Sequence, residues 1–201
     1  CGVLSGPTFA NELAHQKPTV IVCASSSSDI YNKIQKIVSD ETLRVYTNND
    51  PLGVSLGGAL KNIIAIATGI STGMKLGENA RAGLITRGLS ELVRLGKKMG
   101  AKKETLFGIS GLGDMVLTCT SHTSRNFTFG FRIGQGEKPQ EVLDSMTQIA
   151  EGVFSTEGAL TLAKRYSVEL PITSAIHEIL WDNRSPEKTV IELMTRPLKK
   201  E

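Results

Sequence analysis

Lysine and arginine never gather into a basic stripe in this sequence, and the aromatic residues, 5% of the chain, do not interleave with them. A net charge of +3 is too mild to hold a polyanion, so nucleic acid is excluded as a partner. Cysteine is also sparse. Cys1, Cys23 and Cys119 are odd in number and spaced for neither a disulfide framework nor a zinc site, which suits a reducing cytosol. The three histidines lie too far apart in sequence to suggest a metal centre, so no metal is expected. No signal peptide, repeat or low-complexity segment is visible. An initiating methionine is missing too. The chain opens at Cys1 on the apolar run Gly2-Val3-Leu4, ending in Ser5-Gly6-Pro7. That pattern reads as a strand caught mid-sheet, and a fragment is expected.

What is present has an ordinary globular balance, with 40% hydrophobic and 21% charged residues. The 201 residues suffice for one large domain, or for one domain plus part of another. In residues 51–74 the only charge is Lys61, and the stretch is long enough to span a bilayer. Gly53, Gly57, Gly58, Gly69 and Gly73 dilute its hydropathy, and a lysine near the middle costs about 2.5–3.5 kcal/mol in lipid. A buried helix of a cytoplasmic protein is expected, without integral membrane association.

Two architectures follow one another. Thr19–Ala24 is a β-branched strand pattern, and the serines at 25–28 supply a cap for a helix in which Ile30, Ile34, Ile37 and Val38 recur at helical spacing. Leu43-Arg44-Val45-Tyr46 reads as a second strand, and strand–helix–strand is the unit of an α/β sheet. Residues 1–50 therefore read as an α/β remnant, the end of a Rossmann-like nucleotide-binding domain. Residues 51–201 read as a mainly α domain. Its expected helices are 53–70, 78–99 with Gly100 as a stop, 126–133, 139–146 and 155–166. Pro171 and Pro186 open two more, with Ser185 as a cap.

Four segments carry groups able to do chemistry. Lys61, in Gly57-Gly58-Ala59-Leu60-Lys61-Asn62, has no carboxylate within four positions. Burial strips water from an ammonium group, and a lysine so placed passes protons; the alternative is a lysine that snorkels to the surface. Asn62 offers an amide to a polar substrate. Gly53 and Gly57 share the lysine's helix face, where another backbone can come close. In Gly108-Ile109-Ser110-Gly111-Leu112-Gly113-Asp114 the glycines allow a tight loop delivering Asp114 to a cleft. The same pattern is a common turn, and without a further glycine it is no dinucleotide fingerprint. Thr118 to Asn126 sets hydroxyls before Arg125 and Asn126 at a helix start. That combination suits a phosphate, or a solvated, capped loop with His122 at the surface. Finally, Gly6 and Thr8 follow a strand, at the carboxyl edge where open α/β sheets bind ligands.

Taken in order, Ser-Gly-Pro-Thr-Phe-Ala-x-Glu, Gly-Ala-Leu-Lys-Asn-Ile-x-Ala-Ile-Ala-x-Gly, Gly-Leu-Gly-Asp, Ser-Arg-Asn and Ala-Glu-Gly resemble the NAD(P)-dependent glycerol-3-phosphate dehydrogenases, the bacterial form most closely. The resemblance runs to about residue 180. It implies reversible reduction of dihydroxyacetone phosphate to sn-glycerol 3-phosphate with NAD or NADP, for glycerophospholipid synthesis. It implies Lys61 as general acid/base and Asp114 as its orienting partner. Substrate would meet Gly6, Thr8, Lys61, Asn62, Asp114, Ser124, Arg125 and Asn126. Ala10, Arg125, Ile149 and Glu151 match positions that meet the cofactor, although Ile149 stands where related sequences often carry valine. The family's glycine-rich loop belongs upstream of Cys1, so the chain alone is expected to be inactive. Two other readings stay open: a related two-domain hydroxyacid dehydrogenase, and a non-catalytic helical dimerisation or phosphate-binding module. The long apolar helices also leave room for a homodimer.

Overall fold

A computed structural model describes residues 1–198; the end of the expected helical part, 199–201, lies outside the described residues. The β-branched run forms β2 (Thr19–Ala24), central in a three-stranded sheet. It is parallel to β3 (Leu43–Asn48) and antiparallel to β1 (Val3–Ser5). α1 (Ala10–Ala14) is a short exposed helix between β1 and β2. α2 (Ser28–Val38) crosses from β2 to β3 and lays Tyr31, Ile34 and Val38 over Ile21, Cys23 and Val45.

Ile30, Ile34, Ile37 and Val38 all lie in α2 as their spacing predicts, with Ile37 71% exposed because Ile34 and Val38 already fill the helix face toward the sheet. Two local expectations need correcting. The serine run does not cap α2 through a side chain. Instead the Ser25 hydroxyl donates to the Cys1 carbonyl at 2.9 Å and accepts from the Ser27 amide at 3.2 Å, tying the chain start to the end of β2. And because β1 opposes β2, Ser5 pairs with Val22. The Gly6 and Thr8 exit therefore lies at the carboxyl end of β1 alone, toward the amino ends of β2 and β3.

From Pro51 every described element is helical. α3 (Pro51–Gly73) starts on a proline, whose missing amide hydrogen costs nothing in a first turn. Asp50 caps it: one oxygen accepts from the Gly53 amide at 2.9 Å and the other from the Lys102 amide at 2.7 Å. α3 meets the membrane-span criterion of length and composition, yet 78% of its most apolar window is buried inside the protein. Ile63, Ile64, Ile66 and Ile70 form the middle of the core. Around α3 pack α4 (Glu78–Met99), α6 (Asp114–Cys119), α7 (Arg125–Gly134) and α9 (Glu151–Tyr166). α5 (Lys103–Leu106) and α8 (Pro139–Ser145) are short connectors, and α10 (Pro171–Trp181) and α11 (Pro186–Met194) complete the bundle.

Gly100 ends α4 at φ 95°, the left-handed stop expected of it. The Ser185 hydroxyl caps α11, accepting from the Lys188 amide at 3.4 Å. α9 begins at Glu151 rather than 155, because Gly152, which hid the helical pattern, is where the helix start sits against another backbone.

α4 also carries a charge the sequence did not single out. Glu91 is 5% exposed on the apolar side of the helix. Its carboxylate accepts from the Ile172 amide (2.6 Å), the Thr173 amide (3.2 Å) and the Thr173 hydroxyl (2.9 Å), closing the first turn of α10 from outside. Burial pushes its carboxyl above the ordinary 4.5, partly opposed by those hydrogen bonds. A raised acid binds its proton more tightly folded than unfolded, so its contribution to stability is lost as pH rises from about the ordinary value through the raised one. Urea midpoints should therefore show a component falling with pH over that window in the native chain and missing in Glu91→Gln. Identical pH profiles for the two would contradict this.

Candidate active site

α3 presents Lys61 near its middle, and the partner absent from its own helix arrives from α6. Lys61 Nζ forms a short ion pair with Asp114 Oδ2, the lysine side chain 18% exposed and the aspartate 3%. The Thr118 hydroxyl, one turn on, donates to Asp114 Oδ1 at 3.2 Å and to the Asp114 carbonyl at 2.6 Å. Burial raises the Asp114 carboxyl above its ordinary value, with the Lys61 charge and the Lys61 and Thr118 hydrogen bonds pulling the other way. The carboxylate therefore holds its negative charge less securely than a surface acid would, and the Lys61 ammonium is what offsets the burial. Cys119, beside this pair, has its thiol pushed up to about 12 by burial. It stays protonated, and its role is packing.

The segment delivering Asp114 is not the tight loop expected. Residues Ile109–Gly113 form a π-helical turn running directly into α6, closed by the Gly113 amide donating to the Gly108 carbonyl at 3.1 Å. Gly108, Gly111 and Gly113 all keep negative φ, so these glycines serve closeness rather than left-handed backbone. A Cβ on Gly111 would lie 1.9 Å from the Leu106 carbonyl oxygen. Gly57, one turn before Lys61, admits the same segment: its Cβ would stand 2.5 Å from the Ser110 carbonyl oxygen. The expected backbone approach is met at Gly57. At Gly53 the close neighbours are instead side chains, Asp50 and Thr105.

A second group of residues meets α3 at Asn62, the position after the lysine. Asn62 is 6% exposed, and its side-chain amide donates to Glu151 Oε2 across 3.5 Å. Glu151 Oε1 faces Arg125 Nη2 at 3.7 Å, and Arg125 Nη1 donates to Gln148 Oε1 at 3.3 Å. Asn126 accepts the Gly152 amide on its Oδ1 at 2.8 Å, pinning the start of α9, where a Cβ on Gly152 would lie 2.6 Å from the Asn62 carbonyl oxygen. Ser124 caps α7 by accepting from the Phe127 amide at 3.2 Å. Consecutive positions of one helix thus join Lys61 and Asp114 to Asn62, Arg125, Asn126 and Glu151.

The other expected residues stand further out. Gly6 is buried against Ile109 of the π turn, and Ser5 lies against Gly58 of α3, so the β1 exit adjoins the lysine's helix. Thr8 donates its hydroxyl to the Gly6 carbonyl at 3.1 Å. Ala10 opens α1 on the exposed surface, outside the hydrogen-bond network joining the rest. Ile149 is 63% exposed, next in sequence to Gln148. Arg125 is itself half-exposed, its side chain 45% open to solvent. His122 sits edge-on to Phe127 and Phe131, at 5.0 and 4.9 Å between ring centroids. Among the described residues, no group of three or more His, Cys, Asp or Glu side chains is placed to hold a metal ion.

Gln148 had not been singled out, and Thr118 and Gly152 entered only as members of a hydroxyl run and of the Ala-Glu-Gly motif. Thr118 was legible in principle, since Asp114 and Thr118 stand one helical turn apart. The packing role of Gly152 and the contact of Gln148 had no local signal, because both depend on where α9 docks.

Residues 50–191 match the sequence family described as NAD-dependent glycerol-3-phosphate dehydrogenase C-terminus. A glycerol-3-phosphate dehydrogenase [NAD(P)+] of Geobacter sulfurreducens is 50% identical over 199 residues, covering 99% of this chain and 59% of the relative. One from Staphylococcus epidermidis is 48% identical over 200 residues, covering 100% and 60%. The crystal structure of a glycerol-3-phosphate dehydrogenase from Coxiella burnetii superposes with a TM-score of 0.94 at 45% identity, over 97% of this chain and 60% of that one. The chain thus spans about three fifths of the length of the relatives it matches.

Proposed function

This chain belongs to the NAD-dependent glycerol-3-phosphate dehydrogenase family through that family's C-terminal part, and from that premise we propose that it supplies the proton-transfer and phosphate-binding half of an enzyme interconverting dihydroxyacetone phosphate and sn-glycerol 3-phosphate. The observation that carries the reading is the Lys61–Asp114 ion pair, held next to Asn62 and the Arg125–Asn126 helix start. Residues 1–50 are taken as the end of a Rossmann-like nucleotide-binding domain and the helical part as the substrate-binding domain, with 51–201 as its span. A cytoplasmic location and a supply of precursor for glycerophospholipid synthesis belong to the same proposal.

When bound, NADH or NADPH supplies the hydride. This chain's residues handle the oxygen and the charge. As the carbonyl carbon is reduced its oxygen becomes basic, and Lys61 gives it a proton; in the oxidative direction Lys61 takes that proton back. Asp114 fixes where the ammonium points, and Thr118 fixes Asp114. The backbone at Gly6 and Thr8 meets the substrate's hydroxyl side, with Ser124 and Asn126 at the start of α7, while the Asn62 amide turns toward the phosphate. Arg125 takes the phosphate, a guanidinium at a helix N-terminus being well suited to a tetrahedral anion. Ala10, Arg125, Ile149 and Glu151 are assigned to the cofactor's flank.

Titrating sn-glycerol 3-phosphate into the chain, followed by amide NMR, tests the anion assignment. Loss of a charge-assisted hydrogen bond in Arg125→Gln should weaken binding by roughly tenfold. Equal affinity in both proteins would reject Arg125 as the anchor.

A further inference from the structure

We propose that the Glu151 carboxylate occupies the phosphate subsite itself, between the Arg125 guanidinium and the Asn62 amide, and that a phosphorylated ligand binds by displacing it. The inference rests on the reading of Arg125 as the phosphate anchor. Its starting point is what surrounds that guanidinium. Arg125 Nη2 faces Glu151 Oε1 at 3.7 Å and Nη1 donates to Gln148 Oε1 at 3.3 Å. The other Glu151 oxygen accepts from Asn62 Nδ2 at 3.5 Å. One carboxylate therefore bridges two donors on different helices, α3 and α7. A phosphate bound to both groups needs the same position.

Each of these contacts is loose. A separation of 3.7 Å is an ion pair without a well-formed hydrogen bond, and 3.5 Å is at the long limit for an amide donor. The pair is also open to water, with side chains 45% and 64% exposed, so it is weakly held. A phosphate offers more oxygens and more charge than a carboxylate, and it can engage the guanidinium with two parallel bonds. Glu151 has somewhere to go, since it stands in the exposed first turn of α9, where a negative charge is favoured by the helix dipole whichever way the side chain turns. Asn126, not Glu151, holds the Gly152 amide, so releasing the carboxylate leaves the start of α9 docked.

An internal competitor lowers apparent affinity for the ligand it mimics, by the fraction of time it occupies the site. Removing its charge should therefore tighten phosphate binding, the reverse of what loss of a positioning residue would do. The test is titration of the chain with inorganic phosphate and with sn-glycerol 3-phosphate, comparing native, Glu151→Gln, Arg125→Gln and the double variant. Glu151→Gln is expected to bind both anions about two- to fivefold more tightly, the range of an exposed ion pair. The gain should vanish when Arg125 is also replaced, because the competition acts through that guanidinium. Glu151→Asp, which keeps the charge but shortens the bridge, should fall between native and Glu151→Gln. Unchanged or weaker binding in Glu151→Gln, with Arg125→Gln still weakening the native chain, would overturn the inference alone. If Arg125→Gln has no effect in any background, the anchor reading fails and takes the inference with it.

Discussion

Lys61→Ala should reduce turnover of dihydroxyacetone phosphate by about 10²- to 10⁴-fold, the usual contribution of a positioned general acid. The assay is oxidation of NADH or NADPH by a chimaera in which the remaining part of the Geobacter sulfurreducens relative precedes this chain, which matches 59% of that relative. The size of the loss follows from the geometry. The ketone oxygen needs a proton at the moment the carbon is reduced, and the only ammonium paired with a buried acid among the described residues is that of Lys61, with Asp114. Cys119 cannot replace it, since burial pushes its thiol up to about 12 and the sulfur is fully enclosed. Truncation to alanine also leaves the Asp114 carboxyl buried without its cation, so the thermal midpoint should fall and turnover is compared at a temperature where the variant is still folded. Asp114→Asn should cost less, because the amide keeps the shape and still accepts a hydrogen bond from Lys61, but it no longer offsets the ammonium charge. Turnover within tenfold of the parent in Lys61→Ala, with folding intact, would remove the lysine from the chemistry.

How far that geometry can be read from sequence depends on the distance over which each feature is encoded. α4 was legible to its ends: Leu84, Ile85, Leu89, Leu92 and Val93 recur at helical spacing and Gly100 stops it. Lys61 stood out for the same local reason, as the single charge in an apolar stretch. What the pattern cannot carry is the partner of a residue. The Lys61–Asp114 pair spans 53 positions and Asn62–Glu151 spans 89, so both exist only once α6 and α9 have packed on α3. The glycines show the gap most clearly. In 108–113 they look like a tight loop, yet they build a π-helical turn whose backbone presses on Leu106. Glycine in a string signals either freedom of φ or lack of a Cβ, and only the packed structure distinguishes the two. Glu91 is the converse case: a charge on an apolar helix face is visible locally, but its purpose is the first turn of α10, 81 positions away.

The largest stability effect is expected where α3 and α7 cross. On α3, a Cβ at Gly69 would lie 2.1 Å from the Phe127 carbonyl oxygen, and one at Gly73 would lie 2.2 Å from that of Phe131. On α7, a Cβ at Gly130 would lie 2.1 Å from the Ile66 carbonyl oxygen, and one at Gly134 would lie 2.3 Å from that of Ile70. Each obstacle is backbone, which has no rotamer to escape into, so the helices themselves have to separate and open the packing along the core. Gly69→Ala and Gly130→Ala should each cost about 3 kcal/mol in urea unfolding, against the roughly 1 kcal/mol that alanine contributes as a better helix former. Gly83→Ala and Gly158→Ala are the controls: both sit inside helices, with nothing within 4 Å of the added carbon. They should leave stability equal or raised by up to about 1 kcal/mol. The crossing also sets the distance between Lys61 on α3 and Arg125 at the start of α7, so Gly130→Ala should weaken sn-glycerol 3-phosphate binding under conditions where the variant is still folded. Equal urea midpoints for the crossing glycines and the controls would mean the helices can separate without penalty, and the link from glycine to site geometry would then be lost.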